Sequence, residues 1–308
     1  MEFLRLLEKI RNPVFDFLFS IITKFGEETA FMAVAIIVFW CFSKKDGYYI
    51  LSVGFIGTVL NQFLKLLFRV PRPWVKDPDF TIVESAREEA TGYSFPSGHT
   101  QNSVGTFGCV AYSYKKKWVR IASIVICVLV PLSRMYLGVH TPADVFVSVA
   151  IALALVFSIK ILFDKFYENE RAMYIFFGSM LLISILFTLF VALFPFPADL
   201  DPHNYESGLK NASTLLGATA GMLIAYPIEK KFISFEVEGK WYVQLIKIVL
   251  GLGLVIAIKE LLKPLLLLFL PAMVERAIRY AIIVVFAVIV WPLTFKHFRK
   301  LENVNKNS

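Results

Sequence analysis

Charged residues are what this sequence has least of. Asp, Glu, Lys and Arg make up 18% of its 308 residues, where a soluble domain carries about 25%. Hydrophobic residues make up 57% and the mean hydropathy is +0.65. Together these figures exclude an ordinary soluble globule. Histidine is scarce too, with four in the chain. None sits in a His-Glu-x-x-His arrangement, which excludes a zincin-type metal centre. Cysteine is limited to Cys41, Cys109 and Cys127. They are too scattered for zinc-ligand spacing or a disulfide framework, and they read as small core residues. The chain has no internal repeat, no low-complexity tract and no basic-aromatic motif for nucleic acid. The net charge of +8 is therefore assigned to basic cytoplasmic loops and contact with anionic lipid.

What the chain does have is long apolar runs. They recur from about residue 30 to residue 295 and are continuous rather than alternating, which points to membrane helices and away from a β-barrel. The predicted class is all-α, a polytopic membrane bundle of about nine transmembrane helices. The expected spans are about 29–43, 47–69, 97–114, 118–137, 141–163, 173–194, 209–227, 241–262 and 276–295. The seventh is rich in Gly and Ala (Gly217, Ala218, Ala220, Gly221), which predicts close packing against neighbours. Residues 3–22 carry apolar positions at helical spacing and predict an N-terminal interfacial helix. Glu2 and Glu8 interrupt the basic N-terminus and no small-residue cleavage site follows, so no signal peptide is expected. The chain divides into a helical core at 1–165 and a four-span extension at 166–308 that packs on it.

Short basic loops set the orientation. Lys44 and Lys45, Lys115 to Lys117 with Arg120, Lys165 and Arg171, Lys230 and Lys231, and Lys296, Arg299 and Lys300 all fall on one side. That side is expected to be cytoplasmic. Loop 70–97, the turn at 134–141 and loop 195–210 then face the other side.

Three stretches on that second side carry chemistry. The first runs from Lys65 to Arg72. Pro71 and Pro73 restrict the backbone around Arg72, and a lysine with an arginine suits a phosphoryl dianion. The second is Pro96-Ser97-Gly98-His99. Ser97 can cap a helix, Gly98 lets backbone approach an anion, and the N–H groups of a helix start attract phosphate. His99 could protonate a departing oxygen. The third is Ser133-Arg134 through His140-Thr-Pro-Ala-Asp144. Thr141 as N-cap, Pro142 at the first helical position and Asp144 at the third form a capping box with Asp in place of Glu. Asp144 can turn back to His140, holding one ring nitrogen as donor and leaving the other as an attacking lone pair. Taken singly, each stretch also has a structural reading. These are a snorkelling Lys65, a capped helix with an interfacial histidine, and an Arg134 paired with Asp144. His203 reads as a solvated loop residue and His297 as a tail residue.

Lys-x6-Arg-Pro, Pro-Ser-Gly-His and Ser-Arg-x5-His-x3-Asp occur in that order over residues 65–144. In this the chain resembles the type 2 phosphatidic acid phosphatase superfamily of membrane enzymes. The resemblance implies that His140 is the nucleophile that forms a phosphohistidine, that Asp144 orients it, and that His99 protonates the leaving group. It further implies that Lys65, Arg72, Ser97, Gly98 and Arg134 bind the phosphoryl oxygens, with Ser133 a weaker candidate. Neither a metal nor another cofactor is implied. The expected substrate is an amphiphilic lipid phosphate drawn from the bilayer: a phosphatidate, sphingoid or prenyl monoester, or a pyrophosphate. The expected location is a multi-pass position with the site extracytoplasmic, in the plasma membrane if the source is bacterial. The nine-span layout is similar to the glucose-6-phosphatase and sphingosine-phosphate phosphatase branches, so a sugar-phosphate phosphatase is the alternative enzyme. A non-catalytic protein that binds or transports a phosphorylated ligand is the alternative outside enzymology.

Overall fold

The computed structural model describes residues 1–88, 90–197 and 200–298. Glu89 of the acidic loop, Asp199 and the tail cations Arg299 and Lys300 lie outside the described residues. Among the described residues twelve α-helices run in order: α1 (Glu2–Lys9), α2 (Pro13–Ile22), α3 (Glu28–Cys41), α4 (Lys44–Phe68), the single turn α5 (Pro73–Lys76), α6 (Gly98–Ser113), α7 (Lys117–Tyr136), α8 (Pro142–Phe166), α9 (Glu170–Leu193), α10 (Pro202–Ile228), α11 (Trp241–Leu267) and α12 (Ala272–Val285). Widened π turns continue α10 over Glu229–Ile233 and α12 over Phe286–Val290. Among the described residues there is no β-strand.

Each expected apolar span coincides with a helix, so the all-helical membrane class holds. The count of nine spans is another matter. Among the described residues, five segments are long and apolar enough to cross a membrane: Lys44–Lys76, Lys117–Tyr136, Pro142–Phe166, Glu170–Leu193 and Ala272–Phe298. α3 has 14 residues and α6 has 16, short of the ~20 that a bilayer core requires. α10 also begins earlier than its apolar run. Asp201 accepts the His203 N–H at 2.8 Å and Pro202 takes the first helical position, so the helix starts in what was expected to be loop. His203 therefore lies in a helical first turn, exposed.

The chain forms two compact units. The first comprises Met1–Val34, Tyr49–Ile161 and Pro195–Gly208. Within it, α6 and α7 pack against each other, and α1, α2 and the 3-10 turn Thr23–Gly26 pack against α7. The N-terminal segment is thus not one interfacial helix. It breaks at residues 10–12, where the Asn12 side chain accepts the N–H groups of Val14 and Phe15 at 3.1 Å each and Pro13 opens α2. Its apolar residues divide between two surroundings. Leu4 is fully buried with Phe80, Ile82, Met135 and Val145, while Leu6, Val14, Phe17 and Leu18 are exposed. Polar groups fasten it to the loop after α5. Arg5 reaches Asp77 at 2.7 Å, and Glu8 accepts the Thr81 N–H at 2.8 Å.

The second unit comprises Ala35–Tyr48, Leu162–Phe194 and the described residues from Leu209 on. Its core is aromatic. Trp40 donates to the Ala287 carbonyl at 2.7 Å, and Trp291 donates to that of Lys247 at 3.1 Å. Gly217 and Gly221 of α10 lie directly on Ala277 and Ala281 of α12, the close approach expected of that Gly/Ala run. Its buried carboxylates Glu229 and Glu275 are matched, Glu229 with Lys44 at 2.6 Å and Glu275 with Arg279.

Candidate active site

In the first unit, one end of the bundle gathers the C-terminal end of α4, the start of α6, the end of α7 and the start of α8. The local sequence explains why each stops there. α4 ends before Arg69, whose φ of +48° takes the chain out of helix. Pro71 and Pro73 hold Arg72 extended, at φ −65° and ψ 156°. α6 begins at Ser97, whose side chain accepts the Thr100 N–H at 3.4 Å. The Phe95–Pro96 bond just before it is cis.

The end of α7 shapes the centre of the site. Gly138 has φ +84°. The N–H of Val139 bonds back to the Arg134 carbonyl and that of Gly138 to Met135, each at 3.1 Å. This is the Schellman arrangement, which calls for glycine at the left-handed position. The His140 N–H also points at the Arg134 carbonyl, at 3.3 Å. The turn thus delivers His140 into the bundle end, 1% exposed. α8 starts immediately after it with the expected capping box. Asp144 Oδ2 accepts the Thr141 N–H at 2.7 Å, and Thr141 Oγ1 accepts the Asp144 N–H at 3.4 Å.

Around His140 the geometry is specific. Arg72 Nη1 lies 2.9 Å from His140 Nε2. A guanidinium only donates, so Nε2 is the lone-pair nitrogen and the ring proton belongs on Nδ1. Nδ1 faces Asp144 Oδ2 at 3.6 Å, too long for a formed hydrogen bond. Oδ2 instead accepts from Ser94 Oγ at 2.6 Å and from Thr141 N. Burial pushes the His140 imidazole well below the usual histidine range. The positive charge of Arg72 adds to this, with Lys65 and Arg134 behind it, and Asp144 opposes. His140 is held neutral with a lone pair directed at a cation.

The other expected residues fall around it. Arg72 is buried, and backbone carbonyls fix its fork: Gly92 at 3.0 Å, Thr91 at 2.8 Å and Val139 at 3.0 Å. Lys65 is buried and donates to the Tyr93 carbonyl. The Ser97 N–H bonds the Asp144 carbonyl at 3.1 Å, joining the starts of α6 and α8. Gly98 and His99 open α6, both half-buried. Arg134 is fully buried and donates to Thr23 Oγ1 at 2.7 Å. Ser133 turns away from this role, because its hydroxyl donates to the Val130 carbonyl of its own helix at 2.6 Å.

Several contributors were not visible in the motifs. Ser94 holds Asp144. Arg11 Nε donates to the Tyr136 carbonyl at 2.9 Å, bracing the end of α7. Gly26 lets the His99 backbone approach, since a Cβ there would meet the His99 carbonyl at 2.7 Å. The 3-10 turn Thr23–Gly26 therefore touches both Arg134 and His99.

Two family models match the chain. One is described as the PAP2 superfamily and covers residues 47–168. The other, the transmembrane extension of PAP2 superfamily phosphatases, covers residues 213–303. Phosphatidylglycerophosphatase B of Bacillus subtilis is 31% identical over 49% of this chain and 76% of its own length. Undecaprenyl-diphosphatase BcrC of the same species is 28% identical over 52% of this chain and 79% of its own. A probable sphingosine-1-phosphate phosphatase of Dictyostelium discoideum is 28% identical over 58% of this chain and 47% of its own. No solved structure matches.

Proposed function

The chain belongs to the PAP2 superfamily and is a membrane lipid phosphatase, and from that premise we propose that it hydrolyses a lipid phosphate monoester through a phosphohistidine at His140. His140 Nε2 attacks phosphorus and forms the N–P bond while the bond to the ester oxygen breaks. His99 gives its proton to the departing alkoxide. Water then attacks the phosphohistidine, His99 takes a proton from it, the N–P bond breaks and inorganic phosphate leaves. Lys65, Arg72 and Arg134, with the Ser97 hydroxyl and the N–H of Gly98, neutralise the equatorial oxygens. In this reading no metal is required. Asp144 keeps the Nδ1 tautomer and stabilises the imidazolium character that develops on attack.

The observation that carries this reading is the pair of contacts on the His140 ring: Arg72 at 2.9 Å on Nε2 and Asp144 at 3.6 Å on the Nδ1 side. A ligand-binding protein has no use for an imidazole held neutral with its lone-pair nitrogen against the cation that would draw a phosphate to it. The catalytic machinery is confined to residues 1–165, with 166–308 as an extension. The site faces the extracytoplasmic side, opposite the short basic loops, and the lipid enters sideways from the bilayer.

The test is purified protein in detergent with EDTA, offered a lipid phosphate and, separately, glucose 6-phosphate. Release of phosphate from the lipid, its loss in His140→Ala, and acid-labile radiolabelled phosphoenzyme in the parent are the expected results. Full turnover by His140→Ala would sink the mechanism. Faster turnover of glucose 6-phosphate would move the substrate to the sugar-phosphate class. Ligand binding with no phosphoenzyme would favour a non-catalytic role.

A further inference from the structure

One turn below the cations, α4 and α6 hold a polar seam that the chemistry above does not use. Asn61 precedes Lys65 by one turn on α4, and Gln101 follows Ser97 by one turn on α6. Each is 2% exposed. Both amide atoms of Asn61 and both of Gln101 are buried without a hydrogen-bond partner among the described residues. Asn61 Oδ1 lies 3.7 Å from the point a Cβ on Gly98 would occupy. Gln101 Nε2 lies 2.7 Å from the corresponding point on Gly57. Gly57, Asn61 and Lys65 are successive i, i+4 positions, so they share one stripe of α4. The glycine at 57 leaves room for the Gln101 amide, and Asn61 stands in ordinary contact with the Gly98 position.

Polar side chains between membrane helices often serve as glue, bonding one helix to the next. That explanation requires the amides to bond something, and here they bond neither each other nor a neighbour. Unpaired amides at membrane depth are costly, so they call for a ligand. Their chemistry narrows it. An amide both donates and accepts, whereas a phosphoryl oxyanion only accepts and would face two carbonyl oxygens. The complement is a neutral group that donates and accepts, namely a hydroxyl. One turn from Lys65 on α4 and one turn from Ser97 on α6, such a hydroxyl would adjoin the phosphoryl group.

We propose that Asn61 and Gln101 select the leaving alcohol, favouring lipid phosphates that carry a free hydroxyl on the carbon next to the ester carbon over prenyl or fully acylated ones. This rests on the phosphatase reading. The probes are a 1-acylglycerol 3-phosphate and its 2-deoxy counterpart, which differ by that hydroxyl alone. Wild-type protein should show a kcat/KM at least about tenfold higher on the hydroxylated ester. Asn61→Leu and Gln101→Leu should each lose most of that preference, fall on the hydroxylated ester, and hold their rate on the deoxy ester. Their thermal midpoints should not drop, since each replaces an unpaired buried amide by an apolar group of similar size. Wild-type protein that turns over both esters alike would overturn the selection. So would variants slowed equally on both, which would mark the amides as structural or water-holding. Folded wild-type protein inactive on both esters would instead overturn the phosphatase reading beneath it.

Discussion

Gly138→Ala gives the sharpest test of how the site is built, because the residue touches no reacting group. Its φ is +84°, and a side chain in the left-handed region costs about 1–2 kcal/mol. The added Cβ would stand 2.7 Å from Arg11 Nη2, 3.0 Å from Phe80 Cε1 and 3.2 Å from Ile82 Cγ2. The Arg11 fork cannot swing clear cheaply, since it is bonded to the carbonyls of Tyr136 at 2.9 Å and Thr81 at 2.7 Å. Overpacking of this kind costs about 1–3 kcal/mol, so keeping the turn would cost about 2–5 kcal/mol in all. The alternative is that the turn shifts, and His140 two residues on shifts with it. A displacement of about 1 Å at a reacting atom lowers turnover about 10²-fold. Initial rates and a thermal melt in the same detergent measure both outcomes. The control is Gly178→Ala on α9, where a Cβ meets nothing within 4 Å and both readouts should be unchanged or slightly improved. If Gly138→Ala matches the parent in rate and melting while the control behaves, the turn does not position His140.

Arg72→Lys should leave the protein folded but cut kcat about 10²–10³-fold, because a single ammonium cannot replace a fork held by three carbonyls and aimed at Nε2. Near-normal kcat would show that charge alone suffices there. Ser94→Ala removes the 2.6 Å bond to Asp144 and should lower kcat/KM about tenfold or more, with Ser94→Thr recovering part of it. The acid limb of kcat/KM should lie below the ordinary histidine value of about 6.5, since His140 is depressed by burial and then by Arg72. Arg72→Gln should move that limb upward. Stability follows the same sign. Below about pH 6.5 the unfolded imidazole takes a proton that the native one refuses, so stability is complete above that pH and declines as pH falls. His140→Gln should flatten this slope.

The helices and most of the residues gathered at the candidate site were legible because their signals are local. Apolar runs mark the helices, and Thr141-Pro-Ala-Asp144 writes its capping box within four residues. Gly138 was legible in principle, as a glycine just past the end of α7, though the motif reading passed over it. What could not be read was the bracing. Arg11 meets Tyr136 across 125 positions, and Thr23 meets Arg134 across 111. Nothing in either residue's neighbourhood names its partner. Apolar periodicity over 3–22 was real, but the break at residues 10–12 depends on Asn12 turning its side chain into the next helix. Ser94 and the amides at Asn61 and Gln101 were hidden for a related reason, because a lone Ser, Asn or Gln gains meaning only from what stands opposite it.

The N-terminal brace also sets an order of events in the making of the protein. Residues 1–26 are made before the surfaces they grip at 77–82 and 134–138, and the start of α8 follows both. Until α7 is in place Thr23 has no Arg134 to hold, and Arg11 has Thr81 but not Tyr136. The exposed apolar side chains of α1 and α2 give the segment somewhere to wait, at the surface of the bilayer. Docking of the N-terminal segment onto the end of α7 is then a late event, and a chain halted before residue 134 has its first helices made and the candidate site still open.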